Sequence, residues 1–276
     1  MENNTLKTRI ISGLVALAVL IAVLVANFFS GYVAVTVLSI LAAIAVFEML
    51  SNTGCIKNKA AIIVAMVYAA LVQFVYNTAV VSPVVLTFLY IFSIVLFAVF
   101  DHKNFGERQI TMSLSMPIIL PFAFSCLGSI INHTDGYGLF YLFLVLNFAC
   151  ITDISAYFVG INLGKHKLAP EISPKKTVEG AVGGIIGAML GTVIMCIVFG
   201  WITGLDAKLW ILLAVTPFMS VVGMMGDLFA SAIKRAYGIK DYGNIMPGHG
   251  GVLDRLDSVL LIAPAFALFL SLVTVL

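Results

Sequence analysis

The stretch IISGLVALAVLIAVLVANFF, residues 10–29, is a run of twenty residues without a charged side chain. About 20 apolar residues in a helix cross the hydrocarbon core of a bilayer, so the run predicts a transmembrane helix. It follows Lys7 and Arg9, as the apolar part of a signal peptide follows a basic start. The run is longer than such a region and has no Ala-x-Ala-like cleavage site, so we expect it to remain as a helix.

The rest of the chain repeats this pattern. Of its 276 residues, 62% are hydrophobic and 10% are charged, whereas about 25% are charged in soluble domains. Eight further apolar runs lie at roughly 31–50, 60–76, 83–100, 112–131, 139–160, 180–203, 208–226 and 257–276. The sequence therefore predicts an all-α polytopic membrane protein with nine helices. We expect a single transmembrane domain, with residues 1–138 as a scaffold and 139–276 carrying the catalytic helices and loops.

The distribution of basic residues predicts the orientation. With the N-terminus inside, fourteen of the fifteen Lys and Arg residues fall in inner segments, and only Lys208 lies outside. This asymmetry predicts a cytoplasmic N-terminus and an external C-terminus. The long inner loops at about 161–179 and 234–256 would then face the cytosol. Basic loops of this kind also set topology and attract anionic headgroups, which explains single lysines but not the acidic residues among them.

The eighth run continues as a helical pattern past the membrane. On a helix, Gly223, Asp227, Ser231 and Lys234 lie within an arc of about 80°. An ion pair at the membrane edge would explain Asp227, but an intramembrane acid costs about 2.5–3.5 kcal/mol and is a functional candidate by default. Asp153, inside the sixth run, is a second such acid, for which a structural hydrogen bond between helices is an equal alternative.

The loop GKHKLAPEISPKKTVEG, residues 164–180, contains two prolines that prevent a continuous helix. Its end has the features of a helix start, with Thr177 as N-cap and Glu179 in the first turn. Lys175 and Lys176 then stand at a helix N-terminus, where the helix dipole disfavours cations, and this favours a bound anion. Glycines then recur every fourth residue from 183 to 191, which predicts a helix-packing surface and a possible contact between subunits.

The most polar stretch is PGHGGVLDRLD, residues 247–257. A glycine-rich turn lets backbone N–H groups approach an anion closely. One Asp would suffice as a helix cap, whereas here Arg255 lies between Asp254 and Asp257. Carboxylates and cations beside such a turn are typical of a site for a polyphosphate with its magnesium ion.

These residues resemble the signature of the phosphatidate cytidylyltransferase family. The match covers thirteen specified positions over the 27 residues 231–257. The segments SPKKTVEG (173–180) and TDISAYFVG (152–160) are also similar to that family. The resemblance implies transfer of a cytidylyl group from CTP to phosphatidate, giving CDP-diacylglycerol and pyrophosphate. It also implies Mg²⁺ bound by Asp227 and Asp254, and a homodimer in a bacterial-type inner membrane.

The residues and the resemblance together define a candidate site that faces the cytoplasm. Asp153 and Asp257 are further candidate metal ligands, with room for a second cation. The expected catalytic residues are Asp227, Asp254, Lys234, Arg235, His249 and Arg255. The expected substrate-binding residues are Lys167, Ser173, Lys175, Lys176, Thr177, Ser231, Lys240, Asp241, Gly248, Gly250 and Gly251. The partners are CTP and phosphatidate, with no nucleic acid, and the sequence does not assign each lysine to one substrate.

Other classes of membrane protein share parts of this pattern. Polytopic proteins with intramembrane acids are often secondary transporters, but the charges here collect in inner loops and not at the midplane. CDP-alcohol phosphatidyltransferases carry an Asp-Gly-x-x-Ala-Arg pattern that this chain lacks. CTP-dependent lipid-alcohol kinases remain as distant alternatives.

Overall fold

The computed structural model describes residues 2–78, 82–103, 105–133, 136–246, 248 and 250–275. Helices dominate this part of the chain, and their bounds are α1 Glu2–Phe29, α2 Tyr32–Phe47, α3 Lys59–Thr78, α4 Pro83–Phe100, α5 Glu107–Ile131, α6 Gly138–Leu146, α7 Thr152–Leu163, α8 Val178–Thr203, α9 Leu209–Ala236, α10 Leu253–Leu256 and α11 Val259–Leu272. Two five-residue π-helical turns continue α2 and α6, at Glu48–Asn52 and Asn147–Ile151. The predicted all-α polytopic fold is confirmed.

Eight helical segments of the described residues are long and apolar enough to cross a membrane. They match the first eight predicted runs. The ninth, α11, has 14 residues and is apolar, but it is shorter than the run expected at 257–276 because it begins at Val259, after a turn, and ends at Leu272. At 1.5 Å per residue it is about 21 Å long, less than the hydrocarbon thickness of about 30 Å. The predicted orientation of the termini stays a prediction.

The chain forms two compact units. Unit 1 comprises Met1–Gly128 and Ala236–Leu256, and unit 2 comprises Ser129–Arg235 and Asp257–Leu276. The glycine-rich segment therefore belongs to the same unit as the N-terminal helices. The expected functional division between a scaffold and a catalytic half stays a prediction.

Aromatic and polar contacts hold unit 1 together between its apolar helices. The ring of Tyr68 on α3 stacks on that of Tyr90 on α4, with centroids 4.3 Å apart. The Tyr90 hydroxyl donates to the carbonyl of Ser113 on α5. Gln73, fully buried on α3, donates to the carbonyl of Pro121 at 2.6 Å. Apolar helices in a membrane have little hydrophobic driving force to associate. Hydrogen bonds from polar side chains on one helix to another help to fix their packing.

Unit 2 packs around aromatic side chains and a stripe of glycines. Phe266 of α11 contacts Tyr141 and Phe148 edge to face, with centroids 6.2 and 5.4 Å apart. On α8 the glycines at 183, 187 and 191 face the helix formed by α6, the π-turn and α7, because a Cβ at each would meet Val159, Ser155 and Asn147 respectively. The predicted helix-packing surface is confirmed, and its partner is an element of the same chain.

The loop between α7 and α8 contains structure that the sequence did not predict. Strand β1 (Lys167–Ala169) pairs antiparallel with β2 (Ser173–Thr177), with Lys167 opposite Thr177 and Ala169 opposite Ser173. Two prolines exclude a helix here, but in a short two-stranded ribbon both strands are edges, where a missing N–H is tolerated. The hairpin therefore presents its lysines from an ordered backbone.

Gly183→Ala should destabilise unit 2. A methyl group at this position would lie 2.5 Å from the Cβ of Val159, so α7 and α8 would have to separate. Overpacking of this kind costs about 1–3 kcal/mol and should lower Tm by several degrees in detergent. Gly13→Ala is the matched control, because no atom lies within 4 Å of the added Cβ and Tm should not fall. Equal melting temperatures for the two variants would contradict the close packing.

Candidate active site

Helix α9 carries the carboxylate around which the site in unit 2 is arranged. Asp227 and Ser231 lie one turn apart, and the Ser231 hydroxyl donates to Asp227 Oδ1 at 3.5 Å. The other oxygen, Oδ2, forms an ion pair with Lys176 of β2, and both side chains are 23% exposed. The predicted helical continuation is confirmed, since α9 runs unbroken to Ala236. Asp227 thus faces the hairpin with a cation beside it.

The hairpin is held in place at its base. Thr177 is the N-cap of α8 and accepts a hydrogen bond from the N–H of Gly180 at 3.1 Å, as predicted. Glu179 accepts from the N–H groups of Lys165 and His166, and its carboxylate lies 2.6 Å from the His166 ring nitrogen. The sequence predicted Glu179 only as a residue of the first helical turn. Its contacts instead fix the chain that enters the hairpin, and with it the lysines of both strands.

A cavity of about 580 Å³ opens between α7, α8, α9 and the hairpin. Its volume falls within the range of small-molecule sites. Seven of the predicted site residues line it, namely Asp153, Lys167, Ser173, Lys175, Lys176, Thr177 and Asp227. Apolar residues, including Tyr157, Ile161 and Leu168, complete the lining, and these three are exposed. Three lysines and two carboxylates around one cavity suit an anionic ligand that arrives with a cation.

Helix packing explains why Asp153 reaches this cavity. The glycine stripe of α8 lets α7 approach closely, and Gly184 would place a Cβ 2.8 Å from the Thr152 carbonyl. Asp153 then lies near enough to Lys176 and Asp227 for their charges to interact. Thr152 donates to Ser220 of α9 at 3.1 Å, so α7 is fixed to α9 as well.

Asp257 adds a second carboxylate beside Asp227. Gly226 permits the approach, because a Cβ there would lie 2.9 Å from the Asp257 carbonyl oxygen. Burial raises the pKa of Asp257 to about 7, the Asp227 carboxylate adds to the rise, and the Ser258 N–H and Lys234 oppose it. Two neighbouring carboxylates repel each other, and a cation bound between them would relieve that repulsion.

The oxygen-rich donor set fits Mg²⁺. Within the described ranges, no three His, Cys, Asp or Glu side chains are grouped as a metal cage. Magnesium is usually held by one or two carboxylates together with substrate phosphates, and the neighbouring carboxylates of Asp227 and Asp257 fit that chemistry.

In unit 1, the glycine-rich segment forms the predicted turn. Gly248 and Gly250 have φ of 76° and 89°, a conformation that L side chains rarely adopt. Met246 and Gly250 form an isolated bridge, with the Met246 N–H donating at 2.9 Å. Asp254 is buried and its Oδ2 accepts from the N–H groups of Tyr242, at 2.7 Å, and Gly251, at 3.0 Å. The N–H of Gly251, expected to hold phosphate, therefore donates to a protein carboxylate.

The remaining predicted residues differ in exposure. Lys234 is buried, whereas Arg235, Lys240, Asp241 and Arg255 are exposed. His249 lies outside the described residues, as does the preceding proline at 247. The roles given to all of these residues stay predictions.

Comparison with known proteins identifies the family. A model of the cytidylyltransferase family matches residues 7–273. The chain belongs to the cytidylyltransferase family. The resemblance drawn from residues 231–257 is thus confirmed, and the family extends over both units.

Curated relatives of this cytidylyltransferase-family chain carry a more specific name. A phosphatidate cytidylyltransferase of Bacillus subtilis strain 168 is 46% identical over 146 residues, which are 51% of this chain and 51% of the relative. One of Staphylococcus saprophyticus is 40% identical over 138 residues, covering 50% and 52%, and one of Staphylococcus aureus strain COL is 39% identical over 138 residues with the same coverage. The chain spans about half the length of the curated relatives it matches.

One polar residue of this family member was missed by sequence reasoning. Glu48 of the first π-turn is fully buried, and its two carboxylate oxygens accept from the N–H groups of Val252 and Leu253. The rule that singled out Asp153 and Asp227, an acid within an apolar run, applies equally to Glu48. No local pattern indicates its partner, which lies 204 residues further along the chain.

Proposed function

We propose that this protein transfers the cytidylyl group of CTP to phosphatidate, giving CDP-diacylglycerol and pyrophosphate. The observation that supports this best is the cavity of unit 2, which is lined by Lys167, Lys175 and Lys176 together with Asp153 and Asp227. The names of the relatives support the same reaction. The chemistry of these groups accounts for each of its requirements.

The reaction needs charge neutralisation more than a strong base. An oxygen of the phosphatidate phosphate, already ionised near neutral pH, attacks the α-phosphorus of CTP. A new P–O bond forms, the bond between the α-phosphorus and its bridging oxygen breaks, and pyrophosphate leaves with the electron pair. No covalent enzyme intermediate is required. Catalysis then rests on positioning two polyanions and offsetting their repulsion.

The lysines of the hairpin perform that neutralisation. Lys176 forms an ion pair with Asp227, so it stands where a phosphate group and the carboxylate would meet. Lys167 of β1 and Lys175 of β2 add cations from both strands, with Ser173 and Thr177 supplying hydroxyl groups. Because the hairpin is ordered, these groups are positioned before substrate binds, and little reorganisation is needed. The assignment of single lysines to CTP or to phosphatidate stays open.

Asp227 and Asp257 would hold the magnesium ion, and Asp153 is proposed as a ligand of a second cation. When bound, Mg²⁺ offsets the phosphate charge and polarises the phosphoryl oxygens. Asp254, in unit 1, is proposed as a ligand on the family resemblance. Lys234 lies near Asp257 and limits the excess of negative charge around it.

The apolar lining supports a substrate that comes from the bilayer. Tyr157 and Ile161 of α7 are 63% and 65% exposed beside the cavity, within a membrane-spanning segment. Such side chains suit contact with acyl chains, while the lysines suit the phosphate. The fourteen basic residues of the predicted inner segments support a site at the cytoplasmic interface, where CTP is present.

The test uses the full chain purified in detergent with phosphatidate and CTP labelled on either the α- or the γ-phosphate. Cytidylyl transfer moves the α-label into lipid in a magnesium-dependent reaction and releases the γ-label as pyrophosphate. A lipid kinase would instead move the γ-label into lipid when diacylglycerol replaces phosphatidate. If neither label enters lipid and proteoliposomes take up a solute, the protein is a transporter and the proposal is overturned.

A further inference from the structure

The first π-turn holds the backbone of unit 1 at two points, Tyr242 and the pair Val252 and Leu253. Glu48 at its start accepts from Val252 N–H at 3.0 Å and from Leu253 N–H at 2.9 Å. Asn52 at its end donates from Nδ2 to the carbonyl of Tyr242 at 2.7 Å. A π-turn inserts one residue into a helix and is frequent at functional sites. Here it directs both polar side chains toward residues 242–253.

Glu48 is a costly residue in this position. It lies within an apolar segment and is fully buried, and a buried carboxyl group is stable only with good hydrogen-bond partners. The partners are two consecutive backbone N–H groups, which give the carboxylate one donor for each oxygen. A tight bidentate arrangement of this kind fixes the position of the donors as well as of the acceptor.

The neighbouring glycines are shaped to this carboxylate. A Cβ on Gly251 would lie 2.6 Å from the carboxyl carbon of Glu48, and a Cβ on Gly243 would lie 2.8 Å from the same atom. Neither glycine is among those with positive φ. The absence of a side chain at 243 and 251 therefore serves the close approach of Glu48 and not an unusual backbone conformation.

The segment that Glu48 holds also holds Asp254. The N–H groups of Gly251, Val252 and Leu253 donate in succession to Asp254, Glu48 and Glu48. Tyr242 is fixed at both backbone groups, by Asp254 at its N–H and by Asn52 at its carbonyl. Glu48 and Asp254 thus accept hydrogen bonds from the same short backbone segment. If one carboxylate is displaced, the N–H groups that bind the other carboxylate move as well.

We infer that Glu48 is a positioning residue: it holds the turn at 250–254 so that the Asp254 carboxylate has a fixed orientation in the proposed transfer reaction. This inference rests on the proposed function and adds to it a residue from the N-terminal helices. Glu48 acts through the backbone and does not itself contact substrate. Residues that support a metal ligand in this way typically contribute 10–100-fold to metal affinity or activity.

Glu48→Gln tests the inference. The amide keeps the size of the side chain but turns one acceptor into a donor, which leaves the N–H of Val252 or Leu253 without a partner. We expect kcat to fall about 10–100-fold and the Mg²⁺ concentration for half-maximal activity to rise, while the protein remains folded in membranes. Glu107→Gln, an exposed glutamate of the same unit, is the matched control and should keep wild-type kinetics.

A second measurement does not depend on activity. Amide hydrogen exchange of a peptide covering residues 250–256 should be faster in Glu48→Gln than in wild type, and unchanged in Glu107→Gln. In addition, Gly251→Ala should lower Tm strongly in the wild-type background but only slightly in Glu48→Ala, because the smaller side chain makes room for the methyl group. Additive Tm changes, or unchanged exchange, would overturn the placement of Glu48.

These outcomes separate the inference from the proposed function. If wild-type protein does not convert CTP and phosphatidate, the proposed function fails, whereas the exchange and Tm measurements still decide the contact. If Glu48→Gln shows faster exchange but retains kcat and magnesium dependence within twofold of wild type, Glu48 is structural only and the positioning role is wrong.

Discussion

Asp227→Asn should reduce kcat/KM for cytidylyl transfer by about 10³-fold, and a higher Mg²⁺ concentration should not restore it. The substitution keeps the shape of the side chain but removes the charge that faces Lys176 and adjoins Asp257. Loss of a metal ligand removes several kcal/mol of transition-state stabilisation, and each 1.36 kcal/mol corresponds to about tenfold in rate. The measurement is magnesium-dependent transfer of α-labelled CTP into lipid.

Asp206→Asn is the control for this variant. Asp206 is an exposed aspartate three residues before the start of α9, so its substitution removes the same charge away from the cavity. It should leave both activity and Tm unchanged. Activity of Asp227→Asn within a few-fold of wild type would refute the assignment of Asp227 as a ligand.

Lys176→Gln should lower kcat/KM by about 10²-fold. The lysine lines the cavity and is the cation nearest to Asp227, so its loss removes positive charge where two polyanions meet. Removal of one fixed donor from a catalytic site costs about 10²–10³-fold. Lys165→Gln is the matched control, because it removes one charge from the same loop without lining the cavity. Equal losses in the two variants would indicate a general electrostatic effect and contradict a specific role.

The double variant Asp227→Asn with Lys176→Gln separates catalysis from stability. Each single change leaves one charge of the pair without its partner, whereas the double change removes both. We expect Tm to recover in the double variant while activity stays at or below that of Asp227→Asn. Recovered activity would mean that the ion pair only stabilises the fold.

Particular elements show how far the sequence could be read. The apolar runs predicted eight of the helical spans, because hydropathy and length depend on local composition. The face of α9 that carries Asp227 and Ser231 followed from helical periodicity, and the cap at Thr177 followed from residue type. The hairpin of residues 167–177 was missed, because prolines exclude a helix without specifying what replaces it.

The sequence predicted only part of the candidate site, because local patterns do not encode contacts between distant residues. Seven residues chosen from motifs line one cavity of unit 2. The glycines at 248 and 250 were correctly assigned to a turn, since positive φ selects glycine. Gly251 was given a phosphate-binding role, whereas its N–H donates to Asp254 and its missing side chain accommodates Glu48. That contact joins positions far apart in the chain, and no periodicity encodes it.

The sequence by itself determined that this chain is a polytopic helical protein of the cytidylyltransferase family, and which polar residues interrupt its apolar runs. These properties follow from hydrophobic length, helical periodicity and residue chemistry, all of which are local. Only the tertiary structure decided that Lys176 pairs with Asp227 and that Asp257 lies beside Asp227. It also decided that Glu48 holds the turn at Val252 and Leu253. Such pairings depend on which helices pack together, because buried charges in an apolar bundle are stable only where packing brings a partner to them.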